Sequence, residues 1–256
     1  MNIKVLGSSG AELPGYNSSA FLVDGKVLLD AGTIGTSLGE SKQWKVRHIM
    51  ITHSHLDHIK AIPFLADNIV MKQRKHSVTL YGTKETLKTL HDNLLNGELW
   101  PDFTRISASI EPVIKMKTIV PGKSFRVHGY SVTAYPMNHS VTAVGYILRD
   151  SSGRTLLYTG DTGPTQQIWA ASHPVHVMII EVSFPNSMGD LAIKTGHLTP
   201  ELLGLEIDKI KHRPEQILIT HIKPQYMARI GKELQEIKKK KRIAIQLAKD
   251  GRTYEV

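Results

Sequence analysis

The sequence predicts an α/β fold (α+β in some schemes) in which two mixed β-sheets are covered by helices on both outer faces. Short apolar runs with strand character and amphipathic segments of helical period recur along the 256 residues. Some predicted strands follow one another directly and others are separated by a helix, which is typical of mixed sheets. No low-complexity segment or clear linker divides the chain. We therefore expect one domain spanning residues 1–256.

The first half of the chain predicts five strands and two helices. Asp24 and Gly25 predict a hairpin turn between the second and third strands. Leu87, Leu90 and Leu94 share one face of the second helix. The predicted strands are Ile3–Gly7, Ser19–Val23, Lys26–Asp30, Val46–Ile51 and Val78–Tyr81, and the helices are Asp57 to about Ala66 and Lys84–Leu95.

The second half predicts six strands and two helices. Thr199 and Pro200 suit the cap and the first position of a helix that continues to about Lys211. The basic run Lys238–Arg242 lies at the end of the other helix, where cations interact favourably with the helix dipole. The strands are Ser131–Pro136, Ala143–Leu148, Thr155–Tyr158, Val175–Val182, Ile217–Thr220 and Ile243–Leu247, and the last helix is Gln225–Lys239.

Composition restricts the chemistry. The absence of cysteine excludes disulfides, thiolate metal sites and cysteine nucleophiles, so a metal would need His, Asp or Glu ligands, and there are 13 histidines. The net charge of +9 serves solubility or attracts an anionic substrate.

No apolar run approaches the roughly 20 residues of a membrane span, and the N-terminus does not resemble a signal peptide. We expect a cytoplasmic protein without membrane contact. Homodimers are common, but no interface signature is present.

The central motif is IMITHSHLDH, residues 49–58, in which an apolar strand ends at a cluster of polar side chains. His53 and His55 are two positions apart and point to the same side of an extended chain. Asp57 and His58 fall at the start of the next helix. This nitrogen and oxygen set suits Zn²⁺, and Mn²⁺ or Fe²⁺ also accept such ligands.

Further candidate ligands follow three later strands. His139 follows SVTAYPMN, Asp161 follows RTLLYTG and His221 follows QILIT. Sites in α/β proteins commonly lie just beyond the carboxyl ends of strands. One such histidine alone would more often be a packing or surface residue, but three candidates in this arrangement favour a second metal over a single closed structural site.

These motifs resemble the metallo-β-lactamase superfamily. The resemblance implies an αββα four-layer sandwich with a dinuclear site at one edge, in which Asp30 of the LLDAG turn supports the ligands. Two metals about 3.5–4 Å apart can share a bridging hydroxide and generate it at neutral pH, with Asp57 orienting it. The implied ligands are His53, His55 and His139 for the first metal, Asp57, His58 and His221 for the second, and Asp161 as the bridge.

Later segments narrow the implied activity to hydrolysis of a phosphodiester. EVSFPN at Glu181–Asn186 and GHLTPELL at Gly196–Leu203 resemble class II 3′,5′-cyclic-nucleotide phosphodiesterases, as do the N-terminal VLGSSGAELPGYNSSAFLVDG and the continuation of the histidine motif. His197 would protonate the leaving 3′ oxygen and Glu181 would hydrogen-bond the imidazole. We expect hydrolysis of cyclic AMP, or of cyclic GMP, to 5′-monophosphates. Phe184, Asn186, Met188 and Tyr226 are candidates for contacting the base.

The main alternative is a transfer-RNA 3′-processing endoribonuclease. Those nucleases have similar metal ligands and a comparable Glu and His, and the positive charge suits RNA. They often carry an RNA-gripping arm between the residues that match His139 and Asp161, but these residues are only 22 positions apart here. A binding protein without catalysis would require lost ligands, and a β-lactamase or thioesterase would not explain EVSFPN with GHLTP.

Overall fold

The computed structural model describes residues 1–72, 76–107, 111–170 and 174–256. Across these ranges, fourteen strands form two seven-stranded sheets. The strands are β1 (Asn2–Gly7), β2 (Ala20–Val23), β3 (Val27–Leu29), β4 (His48–Met50), β5 (Val78–Gly82), β6 (Ile114–Thr118), β7 (Ser124–Val127), β8 (Tyr130–Met137), β9 (Ala143–Arg149), β10 (Thr155–Tyr158), β11 (Val177–Glu181), β12 (Gln216–Thr220), β13 (Ile245–Leu247) and β14 (Thr253–Glu255).

Each sheet combines an antiparallel half with a parallel half. The first sheet has the order β14-β1-β2-β3-β4-β5-β6, and the second has β13-β12-β11-β10-β9-β8-β7. The pairings among β14, β1, β2 and β3 are antiparallel, and those from β3 to β6 are parallel. In the second sheet, β7 to β10 pair antiparallel and β10 to β13 parallel.

Helices cover the outer face of each sheet. In the described ranges they are α1 (Glu40–Gln43), α2 (Leu56–Ile59), α3 (Ile62–Met71), α4 (Lys84–Asn93), α5 (Gly189–Thr195), α6 (Pro200–Asp208) and α7 (Met227–Lys241). Helices α3 and α4 pack on the first sheet, and α6 and α7 pack on the second. None of the described helices combines the length and apolar character that crossing a bilayer would require.

Three apolar layers hold the sandwich together. The layer between the sheets joins Val5 and Phe21 of the first sheet to Tyr146 and Ile179 of the second, and all four are fully buried. Burial of apolar surface on this scale is the main driving force for folding. The other two layers lie beneath the helices on either side. The predicted αββα sandwich is therefore confirmed.

The predicted helix from Asp57 to about Ala66 is wrong as one continuous element. The chain forms the short α2, breaks at Lys60 and Ala61, and starts again as α3, with Pro63 in the first turn. Proline has no amide hydrogen to bond the preceding turn, so a helix restarts at it more readily than it continues through it.

Most other predicted elements are confirmed within a few residues. Thr199 caps α6, with its hydroxyl accepting a hydrogen bond from the amide of Leu202, and Pro200 begins that helix. The basic run forms the last turn of α7, and Arg242, which caps the end of that helix, has a positive φ of 51°. Among the α-helices and strands of the described ranges, the sequence did not predict α1, β6, β7, α5 and β14.

Candidate metal centre

Strand ends from both sheets bring all seven predicted ligand residues to one edge of the sandwich. The chain leaves β4 towards His53, and His139, Asp161 and His221 come directly or shortly after β8, β10 and β12. Their ligand atoms fall into groups whose members lie within 4.8 Å of one another. The edge where the strands end therefore carries the candidate site, as the sequence predicts.

The first group contains His53, His55, His139 and Asp161. Oδ2 of Asp161 lies 3.7 Å from Nε2 of His53 and 4.0 Å from Nε2 of His139. Nδ1 of His55 lies 3.2 Å from Nε2 of His139. These separations approximate the roughly 3.4 Å between ligand atoms of a tetrahedral site with bonds of about 2.1 Å. The group can hold one divalent cation.

The second group contains Asp57, His58 and His221. Oδ2 of Asp57 lies 3.2 Å from Nε2 of His221 and 3.8 Å from Nε2 of His58. Oδ2 of Asp161 is also close, at 3.2 Å from Nε2 of His221 and 3.4 Å from Nε2 of His58. The Asp161 carboxylate thus lies between the two groups and can serve both.

An unsatisfied nitrogen supports the fit to a metal. Nε2 of His53 is buried and has no hydrogen-bond partner among the residues that the structure describes. Leaving such an atom unpaired costs about 1–3 kcal/mol. The nitrogen faces Asp161 across 3.7 Å, too far for a hydrogen bond but suitable for two ligands of one ion.

The electrostatics favour the protonation states that a metal requires. Burial lowers the pKa of His53, His55 and His139 below the usual histidine value, so these imidazoles are neutral at pH 7. Burial alone would raise the pKa of Asp161, but the imidazoles of His221 and His58 outweigh it and hold that pKa well below the usual range. Neutral imidazoles and ionised carboxylates are the ligand forms that bind metal.

His58 behaves differently because it lies between carboxylates. Burial opposes its charged form, but Asp161 and Asp30 outweigh burial and raise the pKa of His58 well above its ordinary value. Without a metal, a proton therefore occupies the position where a cation would neutralise the same carboxylates. Metal binding at Nε2 would displace that proton.

Asp30 hydrogen-bonds one of the candidate ligands, His58. Its Oδ2 accepts hydrogen bonds from Nδ1 of His58 at 2.7 Å and from the hydroxyl groups of Thr52 and Tyr158 at 2.8 and 2.7 Å. A carboxylate that binds the second nitrogen of a ligating histidine fixes both its tautomer and its ring orientation. Asp30 is fully buried, with a positive φ of 56°.

Two glycines let the backbone approach the second group closely. A Cβ on Gly32 would lie 1.9 Å from the carbonyl oxygen of Asp57, and one on Gly10 would lie 2.3 Å from the carbonyl oxygen of His221. No side chain fits at such distances. The loops that contain these glycines are therefore packed directly against the segments that carry the candidate ligands.

Glu181 and His197 also reach this edge. Nδ1 of His197 donates to Oε1 of Glu181 at 2.6 Å, and both side chains are buried. Burial opposes the charged form of His197, but Glu181 outweighs burial and raises the pKa of the imidazole. The His197 ring stacks on that of His221 with centroids 5.4 Å apart. His197, Asp161 and His221 place ligand atoms within 4.8 Å of one another.

Ser183 contacts both Glu181 and His221, and the sequence did not predict these contacts. Its hydroxyl donates to Oε2 of Glu181 at 2.8 Å and lies 2.9 Å from Nδ1 of His221, which can donate to it. It also lies 3.2 Å from Nδ1 of His197. The position two residues after Glu181 in EVSFPN was the available signal. Ser183 thus connects a candidate ligand to the Glu181–His197 pair.

Phe184 and Asn186, two of the four candidates for base contacts, already make other interactions. Phe184 is buried against His197 and Tyr226, with ring centroids 5.8 and 6.4 Å away. The side-chain oxygen of Asn186 accepts from the amide of Glu201 in the first turn of α6. These contacts indicate packing and capping roles for Phe184 and Asn186.

Two seven-stranded sheets covered by helices, with two groups of His and Asp side chains at one edge, are the features of a class of metal-dependent hydrolases. The model of the beta-lactamase superfamily domain matches residues 27–222. The chain therefore belongs to the metallo-β-lactamase superfamily, as its motifs predict.

Curated relatives divide between two activities. A probable 3′,5′-cyclic-nucleotide phosphodiesterase from Yersinia pestis is 26% identical over 206 residues, covering 71% of this chain and 58% of that protein. The chain thus matches less than two thirds of that relative. A 3′,5′-cyclic-nucleotide phosphodiesterase from Aliivibrio fischeri is 26% identical, covering 85% of this chain and 80% of that protein. A ribonuclease Z from Archaeoglobus fulgidus is 23% identical, covering 93% and 92%.

Solved structures share the fold. Unliganded yeast PDE1 has a TM-score of 0.84 at 18% identity, covering 100% of this chain and 99% of that one. The metallo-beta-lactamase fold protein YhfI from Bacillus subtilis has a TM-score of 0.81 at 19% identity, with the same coverage. The short form of human tRNase Z has a TM-score of 0.75 at 19% identity, again with that coverage. At these identities the likeness is one of fold alone.

Proposed function

We propose that the chain is a dinuclear metal-dependent phosphodiesterase that hydrolyses 3′,5′-cyclic nucleotides, with cyclic AMP the expected substrate and cyclic GMP the alternative, to 5′-monophosphates. The observation that carries the proposal is the buried Glu181–His197 pair beside two groups of metal-ligand atoms that share Asp161. The two cyclic-nucleotide phosphodiesterases among the relatives support it.

In this proposal, each group of ligand atoms holds one divalent cation, Zn²⁺ first, with Mn²⁺ or Fe²⁺ as alternatives. When bound, the metals supply positive charge for the phosphate oxygens and lower the pKa of the hydrolytic water. The residues of the first group are His53, His55 and His139, those of the second are Asp57, His58 and His221, and Asp161 serves both.

The protein's own groups orient the substrate and transfer protons. The Asp57 side chain is 35% exposed, whereas that of Asp161 is only 3% exposed, so Asp57 can accept a hydrogen bond from the attacking water. His197 donates a proton to the departing 3′ oxygen, and Glu181 keeps the imidazole charged and oriented. Proton donation of this kind contributes typically 10²–10⁴-fold to a rate.

RNA processing is the second candidate. The ribonuclease Z relative covers nearly the whole chain, and the net charge of +9 suits a polyanion. Against it, the chain between His139 and Asp161 is used by β9, β10 and the turn joining them. That connection leaves no length for an RNA-gripping arm.

A single domain over residues 1–256, a cytoplasmic location and a homodimer stay predictions.

A substrate panel tests the proposal. Purified protein, with its metals quantified, is assayed on cyclic AMP, cyclic GMP, bis(p-nitrophenyl) phosphate and a transfer-RNA precursor. We expect turnover of a cyclic nucleotide and of the chromogenic diester, with loss of both on chelation. Cleavage of the precursor without turnover of either cyclic nucleotide would support the RNA alternative instead.

A further inference from the structure

A groove of about 510 Å³ lies beside the candidate metal centre. This volume falls in the range of small-molecule sites, about 300–1,000 Å³. The groove is lined by Glu12, the glycine-containing loop 32–36, Lys60, Ala61 and Phe64. These lining segments all connect strands of the first sheet or follow them.

The walls of this groove are joined to the second ligand group. The amide of Ala61 donates to Ala31, whose own amide donates to the carbonyl of His58 at 2.7 Å. On the other wall, Gly10 is packed on His221, and Glu12 follows two residues later. The groove and the second group are thus built on the same short segments.

The lining combines an aromatic surface with a polar wall. Phe64 is 57% exposed although it is a large apolar residue, and its ring contacts Trp100 edge-on with centroids 5.1 Å apart. Lys60 forms an ion pair with Glu12 across the groove. An exposed aromatic next to fixed polar groups is the kind of surface on which a base stacks while its edge or its sugar is hydrogen-bonded.

We propose that this groove is the subsite for the nucleoside part of the substrate, with Phe64 as the stacking surface and the Lys60–Glu12 pair as the polar wall. This inference rests on the proposed function, because the phosphate would lie at the metal centre while the nucleoside extends into the groove. The occupant of the groove is the nucleoside of a nucleotide whose phosphate lies at the metal centre. A base-free phosphodiester would leave the groove empty.

Phe64→Ala tests the subsite. With cyclic AMP we expect KM to rise about tenfold and kcat to change less than about twofold, because stacking is lost on binding and the reacting atoms are untouched. Hydrolysis of methyl p-nitrophenyl phosphate, which carries no nucleoside, should be unchanged. Phe64→Trp should retain the wild-type KM. Met71→Ala is the matched control, since Met71 is 67% exposed on the same helix and outside the groove.

Product binding separates failure of the subsite from failure of the proposed function. Calorimetry on the metal-loaded protein compares AMP with ribose 5-phosphate. We expect AMP to bind about tenfold more tightly, and Phe64→Ala to abolish that difference. Equal affinity of the wild-type protein for the two ligands, or an unchanged preference for AMP in Phe64→Ala, would overturn the subsite. Absence of cyclic-nucleotide turnover would refute the proposed activity, and the AMP comparison would still decide the subsite.

Discussion

Nδ1 of His197 donates a 2.6 Å hydrogen bond to Oε1 of Glu181, and the two buried side chains form a pair beside the candidate metal centre. The same carboxylate accepts from the amide of Thr162 at 2.9 Å and from the hydroxyl of Ser183 at 2.8 Å. Glu181 is therefore held by its neighbours and in turn fixes the orientation of the imidazole. With Nδ1 bonded to Glu181, Nε2 is the nitrogen of His197 that could donate a proton to a substrate.

Glu181→Gln tests that relationship. We expect kcat for the cyclic nucleotide to fall about 10- to 100-fold, because the imidazole loses the negative charge that favours its protonated form. Metal content should stay at the wild-type value. The control is Glu206→Gln, which alters another buried glutamate, bonded to Trp169 and Lys209. If kcat fell equally in both variants, the loss would come from general destabilisation of the fold, and the specific role of Glu181 would be contradicted.

His197→Ala distinguishes proton donation from a structural role. We expect kcat to fall at least about 100-fold for cyclic AMP, whose alkoxide leaving group needs a proton. For bis(p-nitrophenyl) phosphate the fall should be much smaller, because nitrophenolate departs without protonation. Steady-state kinetics on the two substrates give the comparison. Equal losses on both would contradict a role for His197 as a general acid.

Ser183→Ala tests the connection between the second ligand group and Glu181. The substitution removes the hydroxyl that lies 2.9 Å from Nδ1 of His221, so this imidazole loses part of its orientation. Removal of such a partner typically costs 10- to 100-fold in metal affinity or activity. In a competition with a chelator, we expect Ser183→Ala to bind one of its two metals more weakly than the wild-type protein does. Unchanged affinity for both metals would show that the hydroxyl only fills space.

Metal removal should lower thermal stability. The centre contains a buried Nε2 of His53 without a hydrogen bond and two carboxylates of depressed pKa, and cations satisfy all three. A metal at a thousandfold excess over its Kd stabilises by about 4 kcal/mol, which corresponds to roughly 10 °C in Tm for a chain of this size. Scanning calorimetry with and without chelator measures the change. In Asp161→Ala, which lacks the shared ligand, chelator should change the Tm only slightly.

The sequence predicted the elements whose patterns are local and strong. The strand Thr155–Tyr158 and the helix capped by Thr199 depend on side-chain pattern and backbone preference alone, and both are confirmed. The edge strands β6, β7 and β14 were not predicted because their patterns are weak, whereas the fourth edge strand, β13, was predicted. Lysines alternate with apolar residues over only five positions in β6, and β14 has three residues and depends on pairing with β1 from the other end of the chain.

The convergence of the candidate ligands follows from the sequence more directly than the contacts that surround them. His53, His139 and His221 each follow a strand, so the convergence of strand ends places them together without knowledge of the loops. The role of Ser183 and the groove at Phe64 depend on the folded path of loops between distant segments. Glu12 and Lys60 are 48 residues apart, and nothing in their local sequence indicates an ion pair.

The product formed from cyclic AMP is the most direct test of the central claim. Metal-loaded protein is incubated with cyclic AMP, and in parallel with cyclic GMP, and the phosphorus species are followed by ³¹P NMR. A second sample contains chelator and a third contains Asp161→Ala. The account predicts conversion to 5′-AMP without 3′-AMP in the first sample and unchanged substrate in the other two. Cyclic AMP and cyclic GMP that stay intact with fully metal-loaded protein, or conversion that Asp161→Ala preserves, would contradict it.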